Sequence, residues 1–556
     1  MENKNNNNKL LQLIILVSTV TLALYVGIRL GKVTTSQTLN FFGPQPSKVS
    51  VMLDYISKYY VDDVSVDSIS ELLIPDILKE LDPHSVYIPA ARLQQSNEQL
   101  EGNFDGIGVT FNMDNDTVRV INVVPGGPSE KAGVYSSDKI ITVNDSIIAG
   151  RKISQDSILS LFRGKSGSIV KILVKRDGFT ELLPFEITRG KIQVKSVDAF
   201  YMISPTVGYI RMTTFAKTTY SEFIDAVNKL HELGMTSLIF DLRGNTGGLL
   251  DQAIAITSEL FAEKKLIVYT KGKGWARRNQ YSEGKGKLGN DTLVVLINEN
   301  SASASEVLAG AVQDNDRGVI IGHRSFGKGL VQQLFPLPDN SELRLTIARY
   351  YTPSGRSIQR AYSHGDGALD NYYNEFYQRG ERGEYTFSDS IKHSDTTKYY
   401  TSNKKIVYGG GGITPDVFVA NEKYGDFVLK VRGNFNQWAN AFGDKNRRAL
   451  NEIQTIEQLN QFFEKNDPYA GFIEHVKSEG IQGTQEEIDN SMKQLQLIIK
   501  SRIGISTFLG YTGEVYFLNQ MDSTIIKAIE ILKDKDVLEK ILNPAQTEPQ
   551  EIKDSL

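Results

Sequence analysis

The spacing of hydrophobic positions changes from one region of the chain to the next. From residue 45 to 100, apolar residues recur every three or four positions, the period of an amphipathic helix. From 101 to 187, short runs alternate apolar and polar residues, as half-buried strands do, with one helical pattern at 154–163. From 188 to 420, strand and helix patterns alternate, and from 421 to 556 the helical spacing returns. These patterns predict a multidomain protein with an α/β core, a β-rich domain and helical regions on both sides.

The region 188–420 carries the alternation that indicates an α/β fold. The predicted strands are 207–212, 237–241, 293–297 and 344–351, and the predicted helices are 220–233 and 249–261. Residues 362–403 are rich in Tyr, Gly, Ser and charged residues and show no clear period. Such a composition predicts an insertion or a mobile loop.

Residues 1–32 predict a membrane segment. Within them, residues 10–28 form a run of 19 residues without a charge, between Lys9 and Arg29. At about 1.5 Å per residue, such a helix nearly spans a hydrocarbon core of about 30 Å. No clear small-residue cleavage site follows, which favours a retained signal-anchor over a cleaved signal peptide. The basic residues on the two sides are balanced, so charge alone does not orient the segment.

Composition removes several classes of function. The chain has 556 residues with a net charge of −4, which argues against a nucleic-acid-binding protein. It contains no cysteine, so disulfides, thiol catalysis and cysteine-zinc sites are excluded. The six histidines do not form the HExxH spacing, since His231-Glu232 lacks a second histidine, and we predict no metal site.

The residues most suited to catalysis lie between 298 and 332. Residues 301–305 (SASAS) follow an apolar strand and open a helical pattern. A turn of small residues between a strand and a helix exposes a hydroxyl group and leaves backbone N–H groups that can stabilise an oxyanion. A serine in this position still needs a base, and the residues alone leave two candidates, His323 and Lys328.

The motifs SASASE and FGKGLVQ together resemble those of the carboxyl-terminal processing (tail-specific) serine proteases. In that family the middle serine of SASAS is the nucleophile, and the lysine of GKG, 25 residues later, is the base. The same spacing separates Ser303 from Lys328. The resemblance therefore implies Ser303 as nucleophile, Lys328 as base and Gln332 as the third catalytic residue.

The implied base has to be a neutral amine. A lysine in water has a pKa of about 10.4, so it is almost fully protonated at neutral pH. Lys328 must therefore be desolvated, which lowers the pKa of a lysine. Apolar Phe326, Leu330 and Val331 surround it in the sequence, and no carboxylate is adjacent. The neighbouring residues are consistent with this requirement.

Three further segments resemble motifs of the same family. DLRGNTGG (residues 241–248) resembles the motif that supplies an oxyanion-hole N–H, which implies Gly247 or Gly248 together with Ala304. In this motif we expect Asp241 and Arg243 to shape the turn. LDPHS (81–85) and GGGGITPDV (409–417) also resemble family segments. We read the histidine of LDPHS as a structural turn residue.

The region 101–187 resembles a PDZ domain inserted ahead of the protease core. A PDZ domain binds a peptide as an additional strand and captures its terminal carboxylate with loop N–H groups. Glycines in the loop let the backbone approach that carboxylate closely. The resemblance implies these peptide-binding residues: Gly106, Ile107, Gly108, Val109, Leu159 and Phe162.

The combined hypothesis is a membrane-anchored endopeptidase on the periplasmic or extracytoplasmic side of the cytoplasmic membrane. Its partners would be protein substrates with unstructured C-terminal tails, and it would need no cofactor. The sequence leaves open an adaptor or lipoprotein activator, a homo-oligomer, and whether residues 421–556 pack on the protease or dock a partner.

Two other interpretations compete with it. One is an inactive PDZ scaffold that holds tails without cleaving them. The other is a nucleotide hydrolase that uses Gly322 to Lys328 as a phosphate-binding loop, although Gly329 stands where such a loop has Ser or Thr.

Overall fold

The computed structural model describes Thr21, residues 47–363 and residues 367–544. The predicted membrane segment, residues 10–28, lies outside them apart from Thr21. Within the described part of the chain, no helix combines the length and the hydrophobicity needed to cross a bilayer. The chain divides into two compact units, Met1–Ile74 and Pro75–Leu556.

The α-helices include the three predicted at 154–163, 220–233 and 249–261, whose ends lie within two residues of the predicted ones. In chain order they are α1 (Lys48–Tyr59), α2 (Val66–Lys79), α3 (Ala90–Glu101), α4 (Pro128–Ala132), α5 (Gln155–Phe162), α6 (Thr219–Glu232), α7 (Leu250–Glu259), α8 (Ala304–Asp314), α9 (Ala368–Glu381), α10 (Asp426–Val431), α11 (Phe435–Lys445), α12 (Arg447–Asn451), α13 (Ile456–Lys465), α14 (Tyr469–Ser478), α15 (Gln485–Gly504), α16 (Tyr511–Leu518), α17 (Ser523–Lys533) and α18 (Lys535–Leu542).

The strands form several separate sheets. In chain order they are β1 (Val86–Ile88), β2 (Asn103–Gly106), β3 (Val109–Asp114), β4 (Thr117–Val123), β5 (Lys139–Val143), β6 (Ser146–Ile147), β7 (Ile169–Lys175), β8 (Leu183–Thr188), β9 (Gly190–Gln193), β10 (Val197–Met202), β11 (Val207–Met212), β12 (Ser237–Asp241), β13 (Leu266–Lys271), β14 (Arg278–Tyr281), β15 (Thr292–Ile297), β16 (Val319–Gly322), β17 (Leu330–Pro336), β18 (Glu342–Tyr351), β19 (Tyr399–Tyr400), β20 (Ile406–Val407) and β21 (Val417–Phe418).

The first unit contains α1 and the beginning of α2. Helix α1 begins after Ser47, whose hydroxyl accepts the N–H of Ser50 at 3.2 Å. This bond pairs one of the N–H groups that a helix start leaves without a partner. Helix α2 begins at Val66 and continues past the end of the unit.

The β-rich domain has the alternation that its sequence predicts. Its sheet runs β3-β4-β5-β7-β8, with β6 paired to β5. In β7 every second residue, Val170, Ile172 and Val174, is buried. Helix α5 adds Ile158 and Phe162 to the same hydrophobic core. A sheet buried on one face and solvated on the other produces this period of two.

The α/β core is a six-stranded sheet in the order β10-β11-β12-β15-β16-β21. Strands β11, β12, β15, β16 and β21 run parallel, and β10 is antiparallel to β11. One face packs against α6, α7 and α8. The other face is covered from the C-terminal region, by Ile525, Ala528 and Ile531 of α17. One function that the sequence left open for residues 421–556 is therefore to complete the core.

The C-terminal region also contacts the β-rich domain. The buried Arg119 of β4 forms an ion pair with Asp444 of α11. Arg447 of α12 donates to the carbonyl of Ser136 and to Asp138, the latter at 3.3 Å. The helices of this region have a hydrophobic core of their own, which includes Phe472 and Leu495.

An antiparallel sheet lies beside the core, in the order β1-β18-β13-β14 with β17 also paired to β18. Strand β1 comes from the region 45–100, which the sequence predicts as helical only. Its pairing with β18 brings the LDPHS segment next to the hairpin β17–β18.

The prediction of a mobile loop at 362–403 is wrong for most of that segment. It contains α9, a 3-10 turn at Ser388–Ser390 and the hairpin β19–β20. Tyr372 and Arg379 of α9 are 3% and 1% exposed. Arg379 donates to the carbonyl of Ser325 at 2.9 Å. A helical period is present, because Leu369, Tyr372, Tyr373 and Phe376 recur three or four positions apart, but the polar and charged residues around them obscured it in the sequence.

Candidate active site

The SASAS turn separates one serine from its two neighbours. The Ser301 hydroxyl donates to the Leu242 carbonyl at 2.8 Å, and the Ser305 hydroxyl to the Asn245 carbonyl at 2.9 Å. Ser303 lies between them, directly before α8, and is partly exposed. Its hydroxyl makes no hydrogen bond to another side chain within residues 47–363 and 367–544, and as the N-cap of α8 it faces the backbone N–H of Glu306. Two serines thus fix the turn, and the third presents its hydroxyl.

The backbone of Ser303 is strained. Its φ is 56°, a left-handed conformation that is uncommon for a residue with a side chain. Such strain persists only where surrounding contacts impose it, and it concentrates at functional sites. The sharp strand-to-helix turn predicted from the sequence is present at this residue.

The DLRGNTGG turn lies against the SASAS turn, because both follow parallel neighbouring strands, β12 and β15. Asn245 joins the two turns, since its carbonyl also accepts the N–H of Ala302 at 3.0 Å. Its side chain donates to the Met212 carbonyl at 2.9 Å. Sequence reasoning did not select Asn245, although it stands inside the quoted motif.

Asp241 and Arg243 stabilise this turn, as expected. The buried Asp241 carboxylate accepts the backbone N–H of Arg243 at 3.0 Å and the hydroxyl of Tyr209 at 2.8 Å. Burial alone would raise the pKa of Asp241, but the Arg243 guanidinium and these hydrogen bonds hold it below its usual value. Arg243 also binds Asp522 at the start of α17, at 2.7 Å.

Two glycines of the DLRGNTGG turn have no room for a side chain. A Cβ on Gly247 (φ 103°) would lie 2.8 Å from the Cβ of Ser303. A Cβ on Gly248 (φ 144°) would lie 2.3 Å from the carbonyl oxygen of Phe215. Both positions therefore require glycine.

The predicted oxyanion donors differ in availability. The N–H of Gly247 donates to Oδ1 of Asn245 at 2.9 Å and is not free. The N–H groups of Gly248 and Ala304 have no acceptor within the described part of the chain. Of the two glycine alternatives, the geometry favours Gly248.

Glu306 connects the nucleophile turn to the GKG loop. Its Oε2 accepts the backbone N–H groups of both Ser303 and Lys328, each at 2.8 Å. Its Oε1 accepts the hydroxyl of Ser325 at 2.6 Å and the N–H of Gly327 at 2.7 Å. Burial raises the pKa of this carboxyl, although the four donors act in the opposite direction. The backbones of Ser303 and Lys328 share one acceptor atom.

Sequence reasoning missed Glu306. The signal was present, because Ser303-x-x-Glu306 at a helix start is the spacing of a capping box, in which the glutamate accepts the N-cap N–H. The same carboxylate occupies the amides of Gly327 and Lys328. A phosphate would need those amides, so the structure gives no support to the nucleotide-binding interpretation.

The Lys328 amine is partly buried in the site. Burial lowers the pKa of the amine, and the Arg344 guanidinium acts in the same direction. The carboxylates of Asp82 and Glu306 act in the opposite direction. No carboxylate is adjacent to the lysine in the sequence, but the fold brings Asp82 and Glu306 close to it from other segments. The net direction is still the one that a lysine base requires.

The Lys328 amine contacts the side chain of Gln332. Lys328 Nζ lies 3.5 Å from Gln332 Oε1, and within the described residues it makes no hydrogen bond to Ser303. Gln332 Nε2 in turn donates to the backbone carbonyl of His84. Because a carbonyl can only accept, this bond turns the amide so that its oxygen faces the lysine.

The LDPHS segment holds the His84 carbonyl in position. Asp82 accepts the N–H groups of His84 and Ser85 at 2.8 and 2.9 Å and the Thr346 hydroxyl at 3.1 Å. Thr346 is the residue of β18 paired with Gln332 of β17. The motif therefore fixes a turn, as predicted, and this turn directly contacts a predicted catalytic residue.

The alternative base, His323, is engaged elsewhere. Its Nδ1 lies 3.1 Å from Glu299 Oε2, and its ring lies between those of Tyr385 and Phe418. It makes no hydrogen bond to Ser303 within residues 47–363 and 367–544. Across the same ranges, no cluster of His, Asp or Glu side chains is arranged to hold a metal ion.

The predicted peptide-binding loop has two free amides. Gly106 belongs to β2 and Val109 begins β3, while Ile107 and Gly108 lie between the strands. The N–H groups of Ile107 and Gly108 have no acceptor within the described residues, although the carbonyls of both are bonded. The Ile107 side chain is buried in the domain core, so only its backbone is available to a peptide.

The two predicted pocket residues of α5 face different surroundings. Leu159 is 36% exposed, whereas Phe162 is buried. The ring of Phe162 packs edge-on against Phe111 of β3, with 5.3 Å between centroids. Leu159 is therefore at the surface, and Phe162 belongs mainly to the core.

Comparisons with known protein families match three parts of the chain. Residues 206–366 match peptidase family S41, and residues 106–187 match the PDZ domain. Residues 428–508 match a family of unknown function.

Individual proteins give the same result. The carboxy-terminal-processing protease of Bartonella bacilliformis is 35% identical over 356 residues, which cover 63% of this chain and 80% of that protein. A probable CtpA-like serine protease of Staphylococcus aureus is 32% identical over 357 residues, covering 64% and 69%. Among solved structures, the photosystem II D1 C-terminal processing protease has 29% identity and a TM-score of 0.33, covering 56% of this chain and 90% of its own. Because the Bartonella protease is 35% identical and is matched over 80% of its length, the chain belongs to the carboxy-terminal-processing serine proteases of peptidase family S41, and it carries a PDZ domain.

Proposed function

We propose that Ser303 and Lys328 form the catalytic dyad of this protease and that Gln332 holds the lysine in line. The observation that carries the proposal is the environment of Ser303. Its partly exposed side chain stands on a strained turn, and its backbone N–H shares the Glu306 carboxylate with that of Lys328. The lowered pKa of the Lys328 amine supports its role as base.

The reaction would run through an acyl-enzyme. The neutral Lys328 amine takes the proton from the Ser303 hydroxyl while its oxygen attacks the peptide carbonyl. The N–H groups of Ala304 and Gly248 stabilise the oxyanion that forms, each such donor contributing about 3 kcal/mol. The lysine ammonium then protonates the leaving amine. Water attacks the acyl group with the lysine again as base, which releases the carboxylate product and restores the serine.

The amine must move for this reaction to begin. In the structure it contacts Gln332, so proton transfer requires the Lys328 side chain to turn toward Ser303. The hydrogen bonds of both backbones to Glu306 leave the side chain as the part that moves.

The PDZ domain would bring substrate tails to this site. A C-terminal strand added beside β3 would place its carboxylate at the free N–H groups of Ile107 and Gly108. Exposed Leu159 would contact an apolar side chain of the tail. We therefore infer that the substrates are proteins with unstructured tails that end in small or apolar residues.

The uncharged run at residues 10–28 supports a membrane anchor. The resemblance to the tail-specific proteases implies the orientation, with the protease on the extracytoplasmic side of the cytoplasmic membrane. The proposal predicts that the full chain sediments with membranes and that externally added protease digests it in spheroplasts. Recovery of the chain in the soluble cytoplasmic fraction would contradict it.

The dyad is tested with a folded reporter protein that carries an unstructured apolar tail. Ser303→Ala and Lys328→Ala should each abolish cleavage, as followed by mass spectrometry of the products, while tail-peptide binding by fluorescence anisotropy stays unchanged. Undiminished cleavage by either variant would exclude the dyad. Tail binding by the wild type without any cleavage would favour the scaffold interpretation.

A further inference from the structure

A chain of contacts leads from helix α9 to the lysine amine. The hydroxyl of Tyr372 on α9 lies 3.0 Å from Nε2 of His84. The carbonyl of His84 accepts the side-chain amide of Gln332, whose oxygen faces the Lys328 amine at 3.5 Å. Each link joins a different segment of the chain, and α9 is the most distant of them.

Tyr372 is itself held firmly. It is 3% exposed, and its ring packs edge-on against that of His84 with 5.3 Å between centroids. On its other side it stacks on the Arg360 guanidinium at 3.8 Å, and Arg360 also lies over Phe326 at 4.1 Å. Cation–π contacts of this kind are strongest where water is excluded. The position of the tyrosine hydroxyl is therefore well defined.

Helix α9 also contacts the segment that carries Lys328. Arg379 of this helix donates to the carbonyl of Ser325, three residues before Lys328. Arg360, which lies before the helix and packs on Tyr372, donates its backbone N–H to the carbonyl of Gly327 at 3.0 Å. The helix thus contacts both the loop that carries the lysine and the turn that orients Gln332.

Charged groups from several segments act on the Lys328 amine and on the His84 ring. Those that act on the Lys328 amine are Asp82, Glu306 and Arg344. Those that act on His84 are Lys328, Asp82 and Arg360. Burial, with the two cations, lowers the pKa of His84 to about 3. The imidazole therefore stays neutral near neutral pH and presents a fixed hydrogen-bonding partner to the tyrosine.

We propose that Tyr372 is a positioning residue that sets the Lys328 amine through His84 and Gln332. This proposal rests on the proposed Ser-Lys dyad. It gives helix α9, within the segment 362–403, a defined part in catalysis: the helix fixes the turn whose carbonyl orients the glutamine.

The test uses Tyr372→Phe in the full chain, which removes the hydroxyl and keeps the ring on Arg360. We expect kcat for a tail substrate to fall about five- to tenfold, the effect of one lost hydrogen bond, with KM unchanged. Loosening of the site lets water reach the lysine, so the acidic limb of the kcat profile should move to higher pH. Tyr377→Phe, on the same helix but 69% exposed, is the matched control and should behave as wild type.

A double-mutant cycle separates positioning from a general structural role. If Tyr372 acts through Gln332, Tyr372→Phe should have little further effect on kcat in the Gln332→Ala background. Additive losses, or a drop in thermal stability without a shift of the pH limb, would overturn the proposal. A wild-type kcat and pH profile in Tyr372→Phe would do so as well.

Failure of the dyad itself has a different signature. If Lys328→Ala retains full activity, the proposed function fails whatever Tyr372 does. If cleavage depends on Lys328 and Tyr372→Phe leaves kcat and the pH limb unchanged, only the positioning role is removed.

Discussion

The backbone around Ser303 and the tip of Lys328 are held in opposite ways. Four hydrogen bonds of 2.6–2.8 Å to one buried carboxylate fix the nucleophile turn and the GKG loop to each other. The amine at the end of the lysine lies 3.5 Å from Oε1 of Gln332, its one hydrogen-bond partner among the described residues. The difference shows a site whose frame is rigid and whose base is adjustable. Positional precision is built into the backbone, while the proton-transfer distance depends on a few side chains from remote segments.

Removing the Glu306 carboxylate should disrupt the hydrogen bonds that join the nucleophile turn to the GKG loop. In Glu306→Ala, three backbone N–H groups and the Ser325 hydroxyl lose their acceptor inside the protein, and unpaired buried donors are costly. We expect cleavage to be lost and the free energy of unfolding to fall by about 3–5 kcal/mol, measured by chemical denaturation. Glu306→Gln keeps one acceptor oxygen and should fall between this variant and wild type. Wild-type activity in Glu306→Ala would show that the shared carboxylate does not organise the site.

The turn at His84, whose carbonyl orients Gln332, should lose stability in acid. The pKa of His84 is lowered to about 3 from the 6.5 of an unperturbed histidine, so the folded protein binds fewer protons than the unfolded chain between these values. The stability that depends on neutral His84 is complete above pH 6.5 and is lost as the pH falls toward 3. Relative to His84→Gln, wild type should lose about 2–3 kcal/mol between pH 7 and pH 4.5, as measured by urea denaturation. Parallel stability curves for the two proteins would contradict a buried neutral histidine.

A negative charge at position 332 should change the pKa of the Lys328 amine without disturbing the backbone that Glu306 holds. In Gln332→Glu, a carboxylate next to the amine favours the protonated lysine and raises its pKa. The acidic limb of the kcat profile should move up by about one to two pH units, with activity recovering in alkali. Gln332→Ala removes the contact without adding charge and serves as the control. An unchanged limb in the Glu variant would mean that Gln332 does not face the base.

The sequence predicts the rigid half better than the adjustable one. Ser303, Lys328 and the DLRGNTGG turn stand in short motifs with fixed spacing, and the strands that carry them are apolar and regular. Glu306 could have been predicted as a capping-box residue. Its hydrogen bond to Gly327 could not, because that bond depends on how two distant turns pack together.

The contacts of the lysine tip had no comparable signal. Asp82 and His84 reach the site from a segment more than two hundred residues away from Tyr372, and Tyr372 lies in a helix whose apolar positions are aromatic and set among charged residues. Similarly, the amphipathic spacing predicted a helix at 524–532 but could not show that this helix covers the second face of the core sheet. Periodicity reveals that a face is buried and leaves its partner unspecified.

The most direct test of the account is the titration of the Lys328 amine itself. Lysine labelled at its side-chain carbon and nitrogen can be followed by NMR across the pH range, with Lys328→Arg identifying the resonance that disappears. The account predicts a lysine that loses its proton below the ordinary value of about 10.4, together with loss of cleavage as the pH falls through the same range. A Lys328 signal that titrates with the exposed lysines, while cleavage persists at neutral pH, would contradict it.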